Sequence, residues 1–120
     1  MKLPKGRDAV VPEIKITGYL LAENHPVGKA KARFFRSLGY SERYIAHLKD
    51  ALLSIAAAGE VTEVIGSPFG TKYVVDGGFT APKGVPVRVR TVWIVEEGED
   101  EPRFVTAYPR EEAHEGATND

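Results

Sequence analysis

No cysteine occurs anywhere in the 120 residues. That excludes a disulfide, a thiolate nucleophile and a cysteine-rich metal site. Long apolar runs are also missing: the longest, residues 51–58, is broken by Ser54 and ends at Gly59, far short of the roughly 20 residues that span a bilayer. Residues 1–8 carry Lys2, Lys5 and Arg7 with no apolar stretch behind them, so they do not read as a secretion signal and a cytoplasmic location is the default expectation. Histidine is scarce, and His25, His47 and His114 never stand in pairs at the helical spacing that grips a metal. Asp76 and the acids from Glu96 to Glu101 lack the rhythm of a calcium loop. Neither Phe69-Gly70 nor Asp76-Gly77-Gly78 runs on into the Gly-Lys-Ser/Thr of a phosphate loop, and there is no Gly-x-Ser-x-Gly elbow. No metal or cofactor is expected.

What is present is ordinary for a soluble domain. An apolar content of 42%, with one Trp, five Tyr and five Phe, supports one core, and the length is too short for two. A net charge of -1 conceals an uneven distribution. Glu111, Glu112, Glu115 and Asp120 put -4 into the last ten residues without a cation, which leaves +3 on residues 1–110. The expected organisation is therefore a single domain over 1–110 and a disordered acidic tail over 111–120. Between Pro26 and Lys49, six cations (Lys29, Lys31, Arg33, Arg36, Arg43, Lys49) face Glu42 alone, a balance of +5 that suits a phosphate-facing surface.

The elements follow from periodicity and punctuation. The apolar run Ala9-Val10-Val11 suits a short edge strand. Pro12 and Glu13 open a segment, 13–22, that reads as helix although Ile14 and Ile16 also alternate like a strand. Asn24 or His25 caps a second helix with Pro26 at its first position; it runs to about Leu38 and stops at Gly39. Ala30, Phe34 and Leu38 line its apolar side, while Lys29, Arg33 and Arg36 line another. Ser41 caps a third helix whose Ile45, Leu48, Leu52 and Ile55 repeat at helical spacing until Gly59. Four strands follow, at 60–65, 71–76, 85–96 and 103–108, joined by short turns that connect only antiparallel neighbours. The expected fold is α+β: two or three N-terminal helices packed on one face of a four-stranded antiparallel meander sheet.

Period-two alternation assigns faces. On the last strand Val105 and Ala107 are expected to meet the helices, leaving Phe104, Thr106 and Tyr108 on the open side. On the third, Val92 and Ile94 are expected inward and Thr91 and Trp93 outward, which also draws Arg88 and Arg90 inward. A buried unpaired guanidinium is costly, so that phase requires the arginines to lie beyond the helices or a bulge near Pro86 to reset it. Trp93, Phe104 and Tyr73 are nonetheless the natural core or sheet-covering aromatics.

Five blocks carry a resemblance. Residues 15–21 (KITGYLL), 25–35 (HPVGKAKARFF), 69–77 (FGTKYVVDG), 90–94 (RTVWI) and 102–109 (PRFVTAYP) together resemble, in matching order from about Leu3 to Pro109, a bacterial family catalogued as domain of unknown function 6883. More distantly, helices followed by a four-stranded antiparallel sheet ending in Val-Thr-Ala-Tyr-Pro are similar in architecture to the superfamily of barnase, EndoU, colicin nuclease domains and the RelE toxins. That similarity implies a metal-independent ribonuclease, often a toxin with a cognate antitoxin or immunity protein, whose ligand is RNA.

RNA self-cleavage needs a base for the 2′-hydroxyl, cations for the charge on phosphorus and an acid for the 5′-oxygen. His25 is the expected acid or base, because imidazole ordinarily titrates near neutrality and this one stands before the basic helix. Lys29 and Arg90 are the expected charge stabilisers, with pairing to Asp76 or Glu96 as the structural alternative for Arg90. Thr106 is expected to donate to phosphate, and Tyr108 to stack on a base or act as an acid. Lys31, Arg33, Arg36 and Lys72 complete the expected RNA-binding set, and His47 and His114 read as surface residues. The competing expectation is a non-catalytic protein-interaction module, itself of the antitoxin or immunity type, that docks on another protein through the same open face and the acidic tail.

Overall fold

The computed structural model describes residues 1–26 and 29–110; the expected acidic tail, with His114, lies outside the described residues. Among the described residues, a 3-10 turn (Gly6–Asp8) and three further helical segments precede the sheet. The first, α1 (Glu13–Lys15), starts behind extended Pro12 and widens into a π turn at Ile16–Leu20, closed by the Leu21 amide donating to the Ile16 carbonyl at 2.9 Å. It buries Ile16, Leu20 and Leu21. The second, α2 (Lys29–Ser37), ends at Gly39, whose φ of 99° is a left-handed conformation that suits glycine. Its buried side chains are Ala32 and Phe35, with Phe34 and Leu38 half-buried and Ala30 exposed, so the apolar stripe is rotated from the one the spacing of Ala30, Phe34 and Leu38 suggests. Ser41 Oγ accepts from the Arg43 amide at 3.2 Å and starts a 3-10 turn (Glu42–Tyr44) that leads into α3 (Ile45–Ala58). That helix lays Leu48, Ala51, Leu52, Ile55 and Ala56 against the sheet. Among the described residues no helix is long and apolar enough to cross a membrane.

The strands β1 (Glu60–Ser67), β2 (Gly70–Thr80), β3 (Pro86–Glu96) and β4 (Arg103–Pro109) form one antiparallel sheet in the order β1-β2-β3-β4. The expected α+β meander is the observed fold. Val10 adds a parallel bridge to Arg103, the first residue of β4, with the Val10 amide on the Pro102 carbonyl and the Phe104 amide on the Val10 carbonyl, both at 2.9 Å. The β1–β2 hairpin requires Gly70: its φ is 147°, and a Cβ there would collide with the Val95 carbonyl oxygen.

The faces of β3 are the reverse of the expected ones. Val87, Val89, Thr91 and Trp93 point to the helices and are buried, whereas Arg88, Arg90, Val92 and Ile94 share the open side. The inward tryptophan fills the core and the arginines need no burial, so the conflict raised by strict alternation disappears. On β4 both Phe104 and Ala107 are buried, which period two alone forbids. A bulge allows it: Val92 pairs with Thr106 and Trp93 with Phe104, leaving Val105 without a cross-strand partner. Phe104 is thus corrected from the open to the helix side, and Val105 is the residue that absorbs the phase change. Thr106 and Tyr108 stay on the open face, as expected from alternation.

One buried polar contact has a pH consequence. Tyr40 is 2% exposed and its hydroxyl lies 2.9 Å from His47 Nδ1, while burial pushes the phenol pKa up to about 12 from an ordinary 10.0. Between those values the unfolded chain releases a proton that the folded chain keeps, so stability falls as pH rises through that window, at about 1.4 kcal/mol per pH unit at most. Tyr40→Phe is expected to unfold more easily near neutrality, having lost the bond to His47, and to lose less than wild type between pH 10 and 12. Urea melts at pH 9 and 11.5 check this; equal pH dependence in the two proteins counts against it.

Candidate active site on the open sheet face

The site is built in two rows across the end of the sheet. In the first, Thr106 of β4 stands opposite Val92 of β3, and α1 closes on it from outside: Tyr19 Oη lies 3.0 Å from Thr106 Oγ1, and Lys15 Nζ donates to the Val105 carbonyl at 3.0 Å. The carbonyl that Lys15 takes belongs to the bulged residue. Tyr19 projects from the π turn, and its ring meets His25 edge-on with centroids 5.2 Å apart. His25 precedes α2, and its carbonyl accepts the Lys29 amide at 3.1 Å. Imidazole, phenol and threonine hydroxyl are therefore consecutive neighbours.

In the second row Asp76 of β2, Arg90 of β3 and Tyr108 of β4 lie side by side. Arg90 grips Asp76 with a two-pronged fork, Nε to Oδ1 at 2.8 Å and Nη2 to Oδ2 at 2.9 Å. Arg110 brings Nη1 to 3.4 Å from Oδ2, and its amide donates to the Arg88 carbonyl at 3.1 Å, which carries the ladder one step further. The Asp76 side chain is 4% exposed, against 36% for Arg90 and 30% for Arg110. The Arg90 fork holds that carboxyl below the usual range against the opposing effect of burial, with Arg110 and Arg88 adding to it. Lys31 joins the two rows, since its Nζ sits 5.9 Å from the ring centroid of Tyr19 and 5.9 Å from that of Tyr108.

His25, Thr106, Tyr108, Arg90 and Lys31 thus occupy one end of one face, with Arg90 in the pairing to Asp76 that was its structural alternative. Lys29 and Arg33 are exposed on α2. Arg36 is engaged elsewhere. Its Nε and Nη2 donate to the Leu21 carbonyl at 3.0 and 2.7 Å, Nη2 binds Glu42 at 2.8 Å, and Glu23 stands 3.4 Å away. It ties α2 to the chain on either side, which gives its guanidinium a structural role. Lys72 pairs with Ile94, four residues along β2 from Asp76, or about 13 Å. It lies apart from the rows. Sequence reasoning missed Tyr19, Lys15, Arg110 and Arg88; the polar-tipped Tyr19 amid Ile16, Leu20 and Leu21 was the available signal.

Fold and face together define an α+β domain with helices on one side of an antiparallel sheet and a cationic, hydroxyl-bearing end on the other. Residues 2–111 match the family model described as "Domain of unknown function (DUF6883)", and the chain belongs to that family. Its fold is similar to that of a chain in the solved structure titled "Contact-dependent growth inhibition toxin - immunity protein complex from Klebsiella pneumoniae 342", with a TM-score of 0.71 and 16% identity over 88% of this chain and 97% of that one. No curated protein gives a significant match.

Proposed function

We propose that this domain is a metal-independent endoribonuclease, the RNA-cleaving member of a toxin and immunity-protein pair. The observation that carries the reading is the Thr106, Tyr19 and His25 chain of contacts beside the Arg90 and Lys31 cations on one sheet end. In the reaction the 2′-hydroxyl oxygen attacks phosphorus, its proton leaves to a base, and the P–O5′ bond breaks as the 5′-oxygen is protonated, yielding a 2′,3′-cyclic phosphate. His25 transfers protons, Thr106 and Tyr19 donate hydrogen bonds to phosphate oxygens, Lys31 and Arg90 offset the developing charge, and Tyr108 stacks on a base. The likeness in fold to a chain of a toxin–immunity complex supports a protein partner of the immunity or antitoxin class.

Purified protein incubated with end-labelled RNA in EDTA tests it. Wild type is expected to produce fragments ending in a cyclic phosphate, and Thr106→Val to slow their appearance by about 10²-fold, the scale of one lost donor to a transition-state oxygen. No turnover in EDTA, or 5′-phosphate products that appear only with Mg²⁺, would sink the reading. The rival reading is a non-catalytic docking module, favoured by Val64, Ile65 and Phe69, which stand 51%, 41% and 75% exposed at the β1 side of the sheet. It expects tight binding to a co-encoded protein and intact RNA.

A further inference from the structure

We propose that the β1 edge of the sheet is a dimer interface, on which residues 63–67 of a second copy of this chain pair antiparallel about a two-fold axis through Ile65. The proposal goes beyond the ribonuclease reading and does not depend on it, because β1 and the Thr106-bearing β4 are opposite edges of the sheet. Unpaired backbone groups on an exposed edge template pairing with another chain, and proteins ordinarily cover them. The edge at β4 is covered: the Phe104 amide donates to the Val10 carbonyl, and Lys15 Nζ donates to the Val105 carbonyl. On β1 only the start is covered, where the Val61 amide donates to the Met1 carbonyl at 2.8 Å, just before the bulge between Val61 and Glu63. Past the bulge, no other described segment bonds the outward backbone of residues 63–67. That stretch also holds no Lys or Pro to discourage a partner.

The stretch is complementary to itself. The two-residue turn at Pro68 and Phe69 makes Ser67 and Gly70 a hydrogen-bonding pair, so the alternate residues Val64 and Gly66 turn their amides and carbonyls away from β2. Rotation about Ile65 sets Val64 opposite Gly66 of the second copy, and Gly66 opposite its Val64, each pair exchanging both N–H···O bonds. The side chains fit the same register. Val64 is 51% exposed, and at Gly66, next along the same face, a Cβ would meet open space. A knob thus stands beside a hole, and the two-fold axis places each knob on the other copy's hole. Glycine otherwise weakens a strand and often marks a close approach of another backbone. Ile65, 41% exposed on the opposite face, meets its own counterpart. Glu63 faces Ser67 of the second copy and stands about 14 Å from the other Glu63, so no like charges are opposed. The strand of a different protein gains nothing from this symmetric placement, whereas a two-fold interface requires it.

The absence of cysteine makes the register testable. Ile65→Cys introduces a single thiol whose disulfide partner must come from a second copy. In the proposed pairing the two positions have Cα atoms about 4.5 Å apart, at the near end of the range a disulfide spans. Mild oxidation is expected to give a covalent dimer on a non-reducing gel, whereas Glu63→Cys, with its two positions about 14 Å apart, is expected to stay uncross-linked. Sedimentation velocity from about 1 μM to about 1 mM is expected to follow wild type from monomer to dimer, the range suited to an interface below the standard size. Gly66→Val meets open space within its own chain, so its urea midpoint is expected to stay at or above that of wild type. By filling the hole it is expected to raise the dimer dissociation constant about tenfold or more. Wild type that stays monomeric throughout, cross-linking of Glu63→Cys as fast as that of Ile65→Cys, or a dimer that Gly66→Val leaves intact overturns the proposal. So does a chain that pairs through this edge only with a different, co-encoded protein.

Discussion

His25→Ala is expected to slow RNA cleavage by about 10²- to 10⁴-fold, the range that a positioned proton-transfer group contributes. The imidazole is held by ring contact with Tyr19 and by its place just ahead of α2, and Tyr19 in turn holds Thr106. Removing it takes away the group proposed to move protons while leaving the hydroxyls and cations where they are. The residue is half-buried and outside the core cluster, so thermal unfolding is expected to shift little. Single-turnover cleavage in EDTA gives the rate, and added free imidazole is expected to restore part of it in the variant. A rate within about threefold of wild type would remove His25 from the reaction, by the scale just given.

Trp93→Ala is expected to cost about 3–5 kcal/mol of folding stability, as large-to-small aromatic truncations in cores do. Trp93 is fully buried and meets Phe104 edge-on with centroids 5.3 Å apart. Its Nε1 donates to Thr91 Oγ1 at 2.7 Å, and that hydroxyl donates to the Val75 carbonyl at 2.7 Å. The relay ties β3 to β2 inside an apolar core, so truncation opens a cavity and strips Thr91 of a donor. A domain of this size has about 5–15 kcal/mol to lose, and the variant is expected to be partly unfolded at 37 °C. Thr91→Val keeps the volume but leaves the buried indole N–H without its acceptor, which is expected to cost about 1–3 kcal/mol. Urea denaturation reads both; a Trp93→Ala loss below about 1 kcal/mol would mean that the core collapses around the gap.

Element order and type were legible because local signals agreed with the tertiary outcome. Gly39, Ser41 and Gly59 punctuate the helices where the structure does, and α3 buries Leu48, Leu52 and Ile55 as their spacing requires. The phase of β3 was not legible: period two has two solutions, and choosing Val92 and Ile94 as the inward pair overlooked that Thr91 satisfies the buried indole. The bulge at Val105 leaves no mark in composition. For the site, Thr106, Tyr108 and His25 stood out as polar groups on otherwise structural segments, whereas Tyr19 looked like one more helical aromatic. Asp76, Arg88 and Arg110 become a group through the β2–β3–β4 register, a long-range property that no local window contains. The structural ties of Arg36 were not legible because its partners lie on both flanks of α2, at Leu21, Glu23 and Glu42.

The unpaired residue at Val105 makes the closing strand intolerant of changes in length. Deleting it would restore plain alternation and swing either Phe104 out into water or the pair Thr106 and Tyr108 underneath the sheet. Insertions are accommodated instead in the acidic link around Gly98, where a Cβ would meet open space. Added length is therefore expected to be tolerated in the link before the last strand and not within the strand itself.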